Sequence, residues 1–584
     1  MKSRAPVQVV LGPLLATSLS ACASAPVASR PAAEFPSQAA LRAIEAKPAA
    51  PPAMPQEREV DGSWAPAGSL PELAGDEPWQ AASAWDAAFS AAVERAERPP
   101  RVTRSMSCAA REIGRFLLEH AEPPPEGLRR FMTAACGSAT SVTSYAVHGG
   151  EVPETATDEE VLARWEGELR ARVEKRLRPG MDVAGFSFER IAGRAVALAV
   201  FGSAEAEIKP FSPVPDARGE VVIEGRLTRP ADEVTAYVNR GRTGVAQCDV
   251  DMAVPRPGFR VICHPDPRDR SAWIQVLYAP PKRVLSRPFA HVLARRPGLA
   301  PVYQEEADAA SPPISRPVGS AAQFTRVVVD QLNVARAQAG LRPVTLAARE
   351  SATAARLAPR FFAAAFGETE TPDADLITLG LLAGWEVDGT IRDGNFLSIY
   401  SPRGLDAGRW LSAALEMPMG RATLLTPDIE QVAIGPLVTR EPDGLGAMVT
   451  SYRFHRGGDH TADVNLLLTR VIEARRRMGL APPKRLATMP EVMKEELGLV
   501  HAGESDTGSA LDAVLEQAVH RFGRNMRGYV VETTSIDALE LPPEILRQRA
   551  LHLDIGVTHH RPKGAAWAQY VIFIVYADYS ANEV

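Results

Sequence analysis

The sequence predicts an α+β protein built from several small domains, and three observations support this class. Apolar residues recur at helical spacing between residues 79 and 177 and are followed by two short strand-like runs. Four β-branched and aromatic runs bounded by Gly and Pro lie between residues 219 and 281. A helix–turn–helix phrase occurs twice, as NVARAQAGLRPVTL at 333–346 and EARRRMGLAPPKRL at 473–486. Because 584 residues exceed what one core usually supports, several domains are expected.

The first residues predict export and a lipid anchor. A positively charged start precedes an apolar run at 7–19, which is too short to span a bilayer and is typical of a secretory signal. Leu-Ser-Ala-Cys at 19–22 resembles a bacterial lipobox, in which Cys22 is acylated and becomes the new N-terminus. Ordinary cleavage near Ala23 is the alternative. We therefore expect a signal peptide at 1–22 and a protein held in the cell envelope, at the outer membrane or cell surface, by acyl chains on Cys22.

Composition predicts two linkers. Residues 23–78 are rich in Ala and Pro and carry few large apolar side chains. Such a segment cannot bury enough surface to offset its ordering entropy, so an extended, disordered linker is expected there. A second Pro-rich and Gly-containing linker is predicted at 297–322.

The cysteines indicate an oxidising compartment. Apart from Cys22, the chain has Cys108, Cys136, Cys248 and Cys263, an even number that suggests two disulfides. Sequence proximity favours the pairs Cys108–Cys136 and Cys248–Cys263, although four cysteines allow three pairings. No Cys-x-x-Cys occurs, and the cysteines do not combine with histidines at zinc spacing. We therefore expect no structural zinc site.

Two domains are predicted before the repeated phrase. Residues 79–205 show helices followed by strands, with a break at Pro-Pro-Pro inside 107–137 and a capping box from Thr157 to Glu160. This order predicts an α+β domain. The four short strands within 206–296, separated by turn residues, predict a small β-sandwich.

The repeated phrase indicates an internal duplication. Aligning Arg336 with Arg475 also aligns a Gly that suits a helix C-cap and a Pro that prevents the helix from continuing. The ends of the two copies match as well, at Leu425/Leu546, Val432/Leu553, Ile434/Ile555 and Gly435/Gly556. Because start and end recur in the same order, we expect two copies of one domain, at 323–457 and 460–584.

The first copy resembles the CAP superfamily (cysteine-rich secretory proteins, antigen 5 and pathogenesis-related proteins), also called SCP-like domains. The residues that match the family's motifs are Asn333, Arg336, Gly340, Leu341, Pro343, Leu346, Trp410, Ser412, Arg421, Leu424, Leu425, Val432, Ile434 and Gly435. The resemblance covers 324–456 well, 463–580 more loosely, and 79–205 only in the order of helices and strands, so 79–205 is at most a divergent copy. It implies an α-β-α sandwich for each copy.

The family's metal chemistry does not carry over. Members often hold a divalent cation with two His and two Glu in a cleft, where imidazole and carboxylate donors converge on one point. Gly420 stands where the family places a His before Arg421, and no His occurs between residues 292 and 454. The stretch 393–396 reads Asp-Gly-Asn-Phe, so one Glu is also missing. We therefore expect no metal and no cofactor in the first copy.

A few candidate cleft residues remain. His501 and His520 of the second copy could serve as metal ligands, but surface histidines are the ordinary interpretation. Glu350 could line the cleft of the first copy, although an exposed carboxylate at a helix end is more ordinary. His559 and His560 are predicted to lie in a turn between strands, and neighbouring strand residues point to opposite faces, so the two cannot easily share a metal.

No catalytic motif is evident. The sequence has no Gly-x-Ser-x-Gly, no Ser-x-x-Lys with its supporting motifs, no His-Glu-x-x-His and no P-loop. The net charge of −6, with Arg scattered among acids, argues against nucleic-acid binding. We expect a non-catalytic binding or scaffold lipoprotein that takes a lipid or peptide ligand, by fold analogy alone. The alternative is a metal-dependent hydrolase that uses His501 or His520.

Overall fold

The protein is described here from a computed structural model, and its fold is α+β, as predicted. The structure describes residues 35–47, 63–66, 68–177, 180–281, 286–304, 316–366, 372–401, 404–440, 443–455, 459–522, 526–533, 536, 539, 542–562 and 565–578. The predicted signal peptide and Cys22 lie outside this part of the chain. No described helix is both long and apolar enough to cross a membrane.

The chain divides into two compact units. The large unit comprises Pro36–Leu382 and Asn395–Ser451, and the small unit comprises Met1–Phe35, Ala383–Gly394 and Tyr452–Val584, as far as these ranges are described. The small unit therefore includes residues on both sides of the predicted boundary at 457–460. The reason is that residues before it pack with the second copy: the backbone N–H of His455 donates to the carbonyl of Thr390 at 3.0 Å.

The first α+β domain places one sheet between two helical layers. The first elements of the chain are α1 (Gln38–Glu45), β1 (Ser63–Trp64), α2 (Ala84–Val93), β2 (Arg101–Val102), α3 (Arg104–His120), α4 (Glu126–Ala135), β3 (Ser144–Glu151), α5 (Asp158–Arg176), β4 (Val183–Ile191), β5 (Arg194–Gly202) and β6 (Ala206–Ile208). The sheet has the order β2-β4-β5-β3, and β2 runs parallel to β4. Helices α2 and α5 pack on one face with Trp85 and Trp165 in the core, and α3 packs on the other face with Met106 and Ile113. The predicted capping box at Thr157 starts α5.

The β-sandwich has more strands than predicted. It continues with β7 (Val221–Leu227), β8 (Glu233–Arg240), β9 (Gly244–Gln247), β10 (Asp249–Val250), β11 (Gly258–Cys263), β12 (Ser271–Ala279), β13 (Arg287–Arg295) and, beyond the sandwich, β14 (Tyr303–Gln304). Its two four-stranded sheets have the orders β10-β11-β7-β6 and β13-β12-β8-β9, with a shared apolar core. The sequence identified β7, β8, β11 and β12. It missed β6, β9 and β10 because two to four residues carry no period-2 pattern, and β13 because Pro288 and His291 interrupt its apolar run.

Both favoured disulfides are confirmed. Cys108 of α3 is bonded to Cys136, which caps the end of α4, and Cys248 is bonded to Cys263 of β11. The first bond joins two helices on one face of the first domain, and the second joins Cys248, which lies between β9 and β10, to the last residue of β11.

The two predicted copies have sheets of the same topology. Their elements are α6 (Ala321–Gln338), β15 (Thr345–Leu346), α7 (Ala348–Phe366), α8 (Pro372–Ala383), β16 (Ile391–Ser401), α9 (Ala407–Glu416), α10 (Pro418–Leu424), β17 (Gln431–Arg440) and β18 (Asp443–Phe454), then α11 (Thr461–Arg477), β19 (Lys484–Arg485), α12 (Met489–Ala502), α13 (Thr507–Phe522), β20 (Arg527–Thr533), α14 (Pro543–Leu546), β21 (Leu551–His560) and β22 (Gln569–Asp578). The sheet orders are β15-β17-β18-β16 and β19-β21-β22-β20. In the parallel pairs at the sheet edges, Leu346 lies opposite Val432 and Arg485 opposite Leu553, which agrees with the sequence alignment of Val432 with Leu553.

A buried arginine has the same contacts in both copies. Arg336 and Arg475 are each 0% exposed. The Nε of each donates to the carbonyl six residues later, at 2.7 and 2.6 Å, and the Nη1 of each donates to the carbonyl of Leu424 or Leu546, at 2.7 Å. The equivalent of Leu546 by these contacts is therefore Leu424, one residue from the Leu425 chosen in the sequence alignment.

Parts of the two predicted linkers are ordered, contrary to expectation. Within 23–78, helix α1 buries Leu41 and Ile44, and Leu41 lies directly over Gly380 of α8. Strand β1 pairs with β14, which lies inside the predicted linker 297–322. The average composition of these segments concealed short amphipathic stretches that pack on neighbouring domains.

Candidate functional site

The position where the CAP family places a histidine has no room for a side chain. Gly420 lies in α10, and a Cβ added there would lie 1.6 Å from the carbonyl oxygen of Ala414 in α9. Cβ atoms essentially never approach another heavy atom within 3.0 Å, and here the neighbour is backbone. The packing of α9 against α10 therefore leaves no space for an imidazole at position 420.

The next residue, Arg421, connects the first copy to the β-sandwich through hydrogen bonds. Arg421 is 5% exposed, and its Nε donates to the carbonyl of Leu415 at 2.8 Å. Its Nη1 donates to the carbonyls of Gly241 and Gly244, at 3.0 and 3.1 Å, in the turn between β8 and β9. Burial lowers the pKa of Arg421 to about 10, so it remains a cation at neutral pH. The motif arginine is thus an interdomain hydrogen-bond donor.

Two further hydrogen bonds hold the same interface. The side-chain amide of Asn239 donates to the carbonyl of Glu416 at 2.7 Å. The backbone N–H of Met419 donates to Oε1 of Gln275 at 3.1 Å. Helix α10 therefore packs against β8, β9 and β12.

The other first-copy candidates do not form a ligand set. Asp393, in the stretch that replaces the family's Gly-Glu-Asn-Ile, pairs with Arg392 and Arg453. Glu350 lies in the first turn of α7 and is 1% exposed, so its interpretation as an exposed carboxylate is wrong. The helix turns its first-turn residue inward, a direction that residue type alone does not indicate.

The structure separates the two candidate histidines of the second copy. His520 is exposed in the last turn of α13. His501 is in the last turn of α12, and its Nδ1 lies 2.8 Å from the carbonyl oxygen of His559. In the contacts of the described residues, His501 therefore joins His559 and not His520.

A histidine cluster that is buried except for His501 lies at the end of β21, and the sequence interpretation missed it. Its members are His455, His460, His501, His559 and Tyr570. The prediction of a turn at 559–560 is wrong, because both residues belong to β21, where His559 pairs with Tyr570 of β22. Cross-strand pairing prolongs the strand through residues that have a weak strand propensity of their own.

Hydrogen bonds connect the side chains of this cluster. Nδ1 of His460 lies 2.8 Å from Oδ2 of Asp463, and because an ionised carboxylate only accepts, this nitrogen carries the hydrogen. Nε2 of His460 lies 2.9 Å from Nδ1 of His559, so the two rings share a hydrogen bond. Nε2 of His455 lies 3.5 Å from the carbonyl oxygen of Ala568, while its buried Nδ1 has no hydrogen-bond partner among the described residues. The cluster thus forms a short chain that ends on a carboxylate.

Burial favours the neutral forms of His455 and His559. His455, His460 and His559 are 8%, 7% and 3% exposed. Burial lowers the pKa of His455 to about 4 and, together with the neighbouring histidines, lowers the pKa of His559 to about 3. Burial, with the charge of Asp463 adding to it, raises the pKa of the Tyr570 hydroxyl.

The ring geometry does not suit a shared metal ion. The rings of His455 and His559 are stacked, with centroids 4.5 Å apart and an angle of 5° between their planes. A metal lies close to the plane of each imidazole that binds it, and two parallel, stacked rings share no such point. Among the described residues, no group of three or more His, Cys, Asp or Glu is placed to hold a metal ion.

One feature of the sequence indicated a histidine-rich region. Seven of the eleven histidines lie from residue 455 onward. His455 and His460, however, lie at the junction between the two copies, and His559 is a hundred residues away. Strand pairing in the second sheet brings these residues together, and spacing along the chain does not predict that contact.

Comparison with known proteins gives little. No protein-family model matches the chain, and no curated protein matches it. A solved structure of an extracellular protein containing an SCP domain, from Bacillus anthracis str. Ames, aligns with 52% of this chain and 93% of its own length, at 11% identity and a TM-score of 0.17. A TM-score this low does not establish a shared fold, so the resemblance to the CAP superfamily depends on the motif residues alone.

Proposed function

We propose that this chain is a non-catalytic cell-envelope lipoprotein in which CAP-like modules and a β-sandwich form a scaffold that binds a lipid or peptide ligand. The observation that carries the proposal is the use of the motif at 420–421. Gly420 excludes a ligand side chain, and Arg421 donates to the β-sandwich. The residues that would build a catalytic cleft in the family here build an interdomain joint.

A shared backbone detail supports the inclusion of the first domain as a third module. Its sheet has the same order and the same short parallel edge strand as the other two. The hydroxyl of Ser107 accepts the N–H of Phe186 at 3.3 Å, and that of Ser351 accepts the N–H of Ile434 at 3.0 Å. In the last module the carboxylate of Asp554 accepts the corresponding N–H. We infer that one module was copied twice and that its sheet edge was kept.

Metal analysis tests the non-catalytic part of the proposal. The chain from residue 23 onward is dialysed against zinc, freed of excess ion and analysed by mass spectrometry. Because the rings of the histidine cluster do not converge, we expect well below one zinc per chain. A stoichiometric zinc that is lost in His460→Phe and retained in His520→Gln, a matched change at an exposed position, would support the hydrolase instead.

Fractionation tests the anchor. A Cys22→Ala variant should lose acylation, followed with a labelled fatty acid, and should leave the membrane fraction, since acyl chains on Cys22 are the proposed attachment. Ser20→Ala, which keeps the cysteine, is the control. Membrane retention of the Cys22→Ala chain would refute the lipid anchor and leave the scaffold proposal to the metal analysis.

A further inference from the structure

A groove of about 890 Å³ lies along an unpaired strand edge in the first domain. Strand β2 pairs only with Val183 and Ala184, so from Gly185 onward that edge of β4 has no strand partner among the described residues. The walls of the groove include Trp85, Ser107, Arg111, Phe186, Ser187 and Phe188. The groove therefore occupies the place that a longer β2 would fill, between the layer of α2 and the layer of α3.

Two buried polar atoms at this groove have no hydrogen-bond partner in the described part of the chain. They are Nε1 of Trp85 and the hydroxyl of Ser187, in residues that are 3% and 8% exposed. The indole is held by Phe188, whose ring is stacked on it at 4.1 Å with an angle of 10°. Buried polar groups without partners are rare and costly, which favours a ligand that supplies hydrogen bonds.

The hydrogen bonds already made along this edge of β4 show which of its residues turn their backbone groups outward. The carbonyl of Ala184 accepts the N–H of Thr103, and the N–H of Phe186 donates to Ser107. Because backbone groups alternate sides along a strand, those of Phe188 also face the open edge. An added strand would meet this edge between Gly185 and Glu189.

The charges around the groove favour a basic ligand. Its two arginines are already paired, Arg104 with Glu77 at 3.4 Å and Arg111 with Glu112 at 3.1 Å. The carboxylates of Glu72 and Asp86 also line the groove and have no ion-pair partner in the described residues. Among the described residues, Asp86 accepts only the backbone N–H groups of Ala82 and Ser83, and the five carboxylates that line the groove outnumber its two arginines.

We infer that this groove binds an extended, basic peptide segment of a partner protein, which adds to β4 as a strand. Main-chain bonds to the edge provide affinity and flanking side chains provide specificity, as in other strand-addition sites. Nε1 of Trp85 donates to a peptide carbonyl, and lysine or arginine side chains lie near Glu72 and Asp86. The inference rests on the proposed binding role of the modules, but it requires neither the lipid anchor nor the absence of metal.

Peptide binding tests the inference directly. A fluorescent decapeptide of alternating Lys and Thr is titrated with the chain from residue 23 onward and followed by anisotropy. A peptide with every second amide N-methylated should bind at least about tenfold more weakly, because it loses two or more strand hydrogen bonds. A Glu–Thr peptide should also bind more weakly. Hydrogen exchange should slow at residues 185–189 when the Lys–Thr peptide is bound.

Matched variants locate the site. Trp85→Phe removes the indole N–H and keeps an aromatic ring, so it should weaken binding severalfold; Trp273→Phe, the same change in a buried tryptophan that does not line the groove, should not. Equal binding of the N-methylated peptide, or unchanged binding by Trp85→Phe, overturns the inference. So does the absence of binding at about 1 mM peptide, and a neutral oligosaccharide bound in its place would assign the groove to glycans. These outcomes do not alter the zinc and fractionation results, which test the proposed function separately.

Discussion

At the residue scale, specific acceptors hold two sets of buried polar side chains. Arg336 and Arg475 donate to backbone carbonyls. His460 and His559 form a chain that ends on Asp463. Each arrangement satisfies a charge or a dipole that burial would otherwise destabilise. The stability of the histidine cluster therefore depends on the protonation state of its rings.

The histidine cluster should make the small unit sensitive to acid. The pKa of His455 is about 4 and that of His559 about 3 in the folded state, below the ordinary value of 6.5. The unfolded chain therefore binds more protons below pH 6.5, so stability is full above that pH and falls as the pH drops toward 4. Two such groups give a slope of up to about 2.7 kcal/mol per pH unit. Urea unfolding at pH 7.5, 5.5 and 4.5 measures this slope.

Variants separate the cluster from the rest of the chain. His559→Phe keeps a ring against His455 and removes one titrating group, so the slope below pH 6 should be roughly halved. His520→Gln, at an exposed position, should leave it unchanged. A slope that is the same in all three chains would remove the cluster as the source of acid sensitivity.

At the element scale, the sequence predicted what local chemistry decides. Gly340 and Gly479 adopt φ angles of 71° and 72°, the left-handed conformation expected of a glycine that ends a helix. The capping box at Thr157 and the equivalence of Val432 and Leu553 in the two copies were also predictable, since the first depends on neighbouring residues and the second on a preserved repeat.

Elements that form only through pairing with distant residues could not be predicted from the sequence. Strand β1 has two residues and exists because β14 pairs with it. The end of β21 at His559 is a strand because Tyr570 lies opposite. The histidine cluster and the groove of the first domain both arise where such elements meet. Residue spacing in the sequence therefore predicted the fold of the repeated module but neither the histidine cluster nor the groove.

At the scale of the whole molecule, the two units differ in what stabilises them. Both disulfides lie in the large unit, where they close loops of 28 and 15 residues. The acid-sensitive histidine cluster lies in the small unit. Each unit has apolar core clusters of its own. The two should therefore respond to different treatments.

Reduction should destabilise the large unit and spare the small one. By loop-closure entropy, bonds that close loops of this size each contribute roughly 3–4 kcal/mol, so their loss should lower the melting temperature of the large unit by several degrees. Calorimetry with and without a reductant, at pH 7.5, should show two transitions of which only one moves. The transition that shifts with His559→Phe identifies the small unit, and the one that shifts with Cys248→Ala/Cys263→Ala identifies the large unit. A single transition that responds to both changes would mean that the units unfold as one cooperative body, and the assignment of separate stabilising devices would then be wrong.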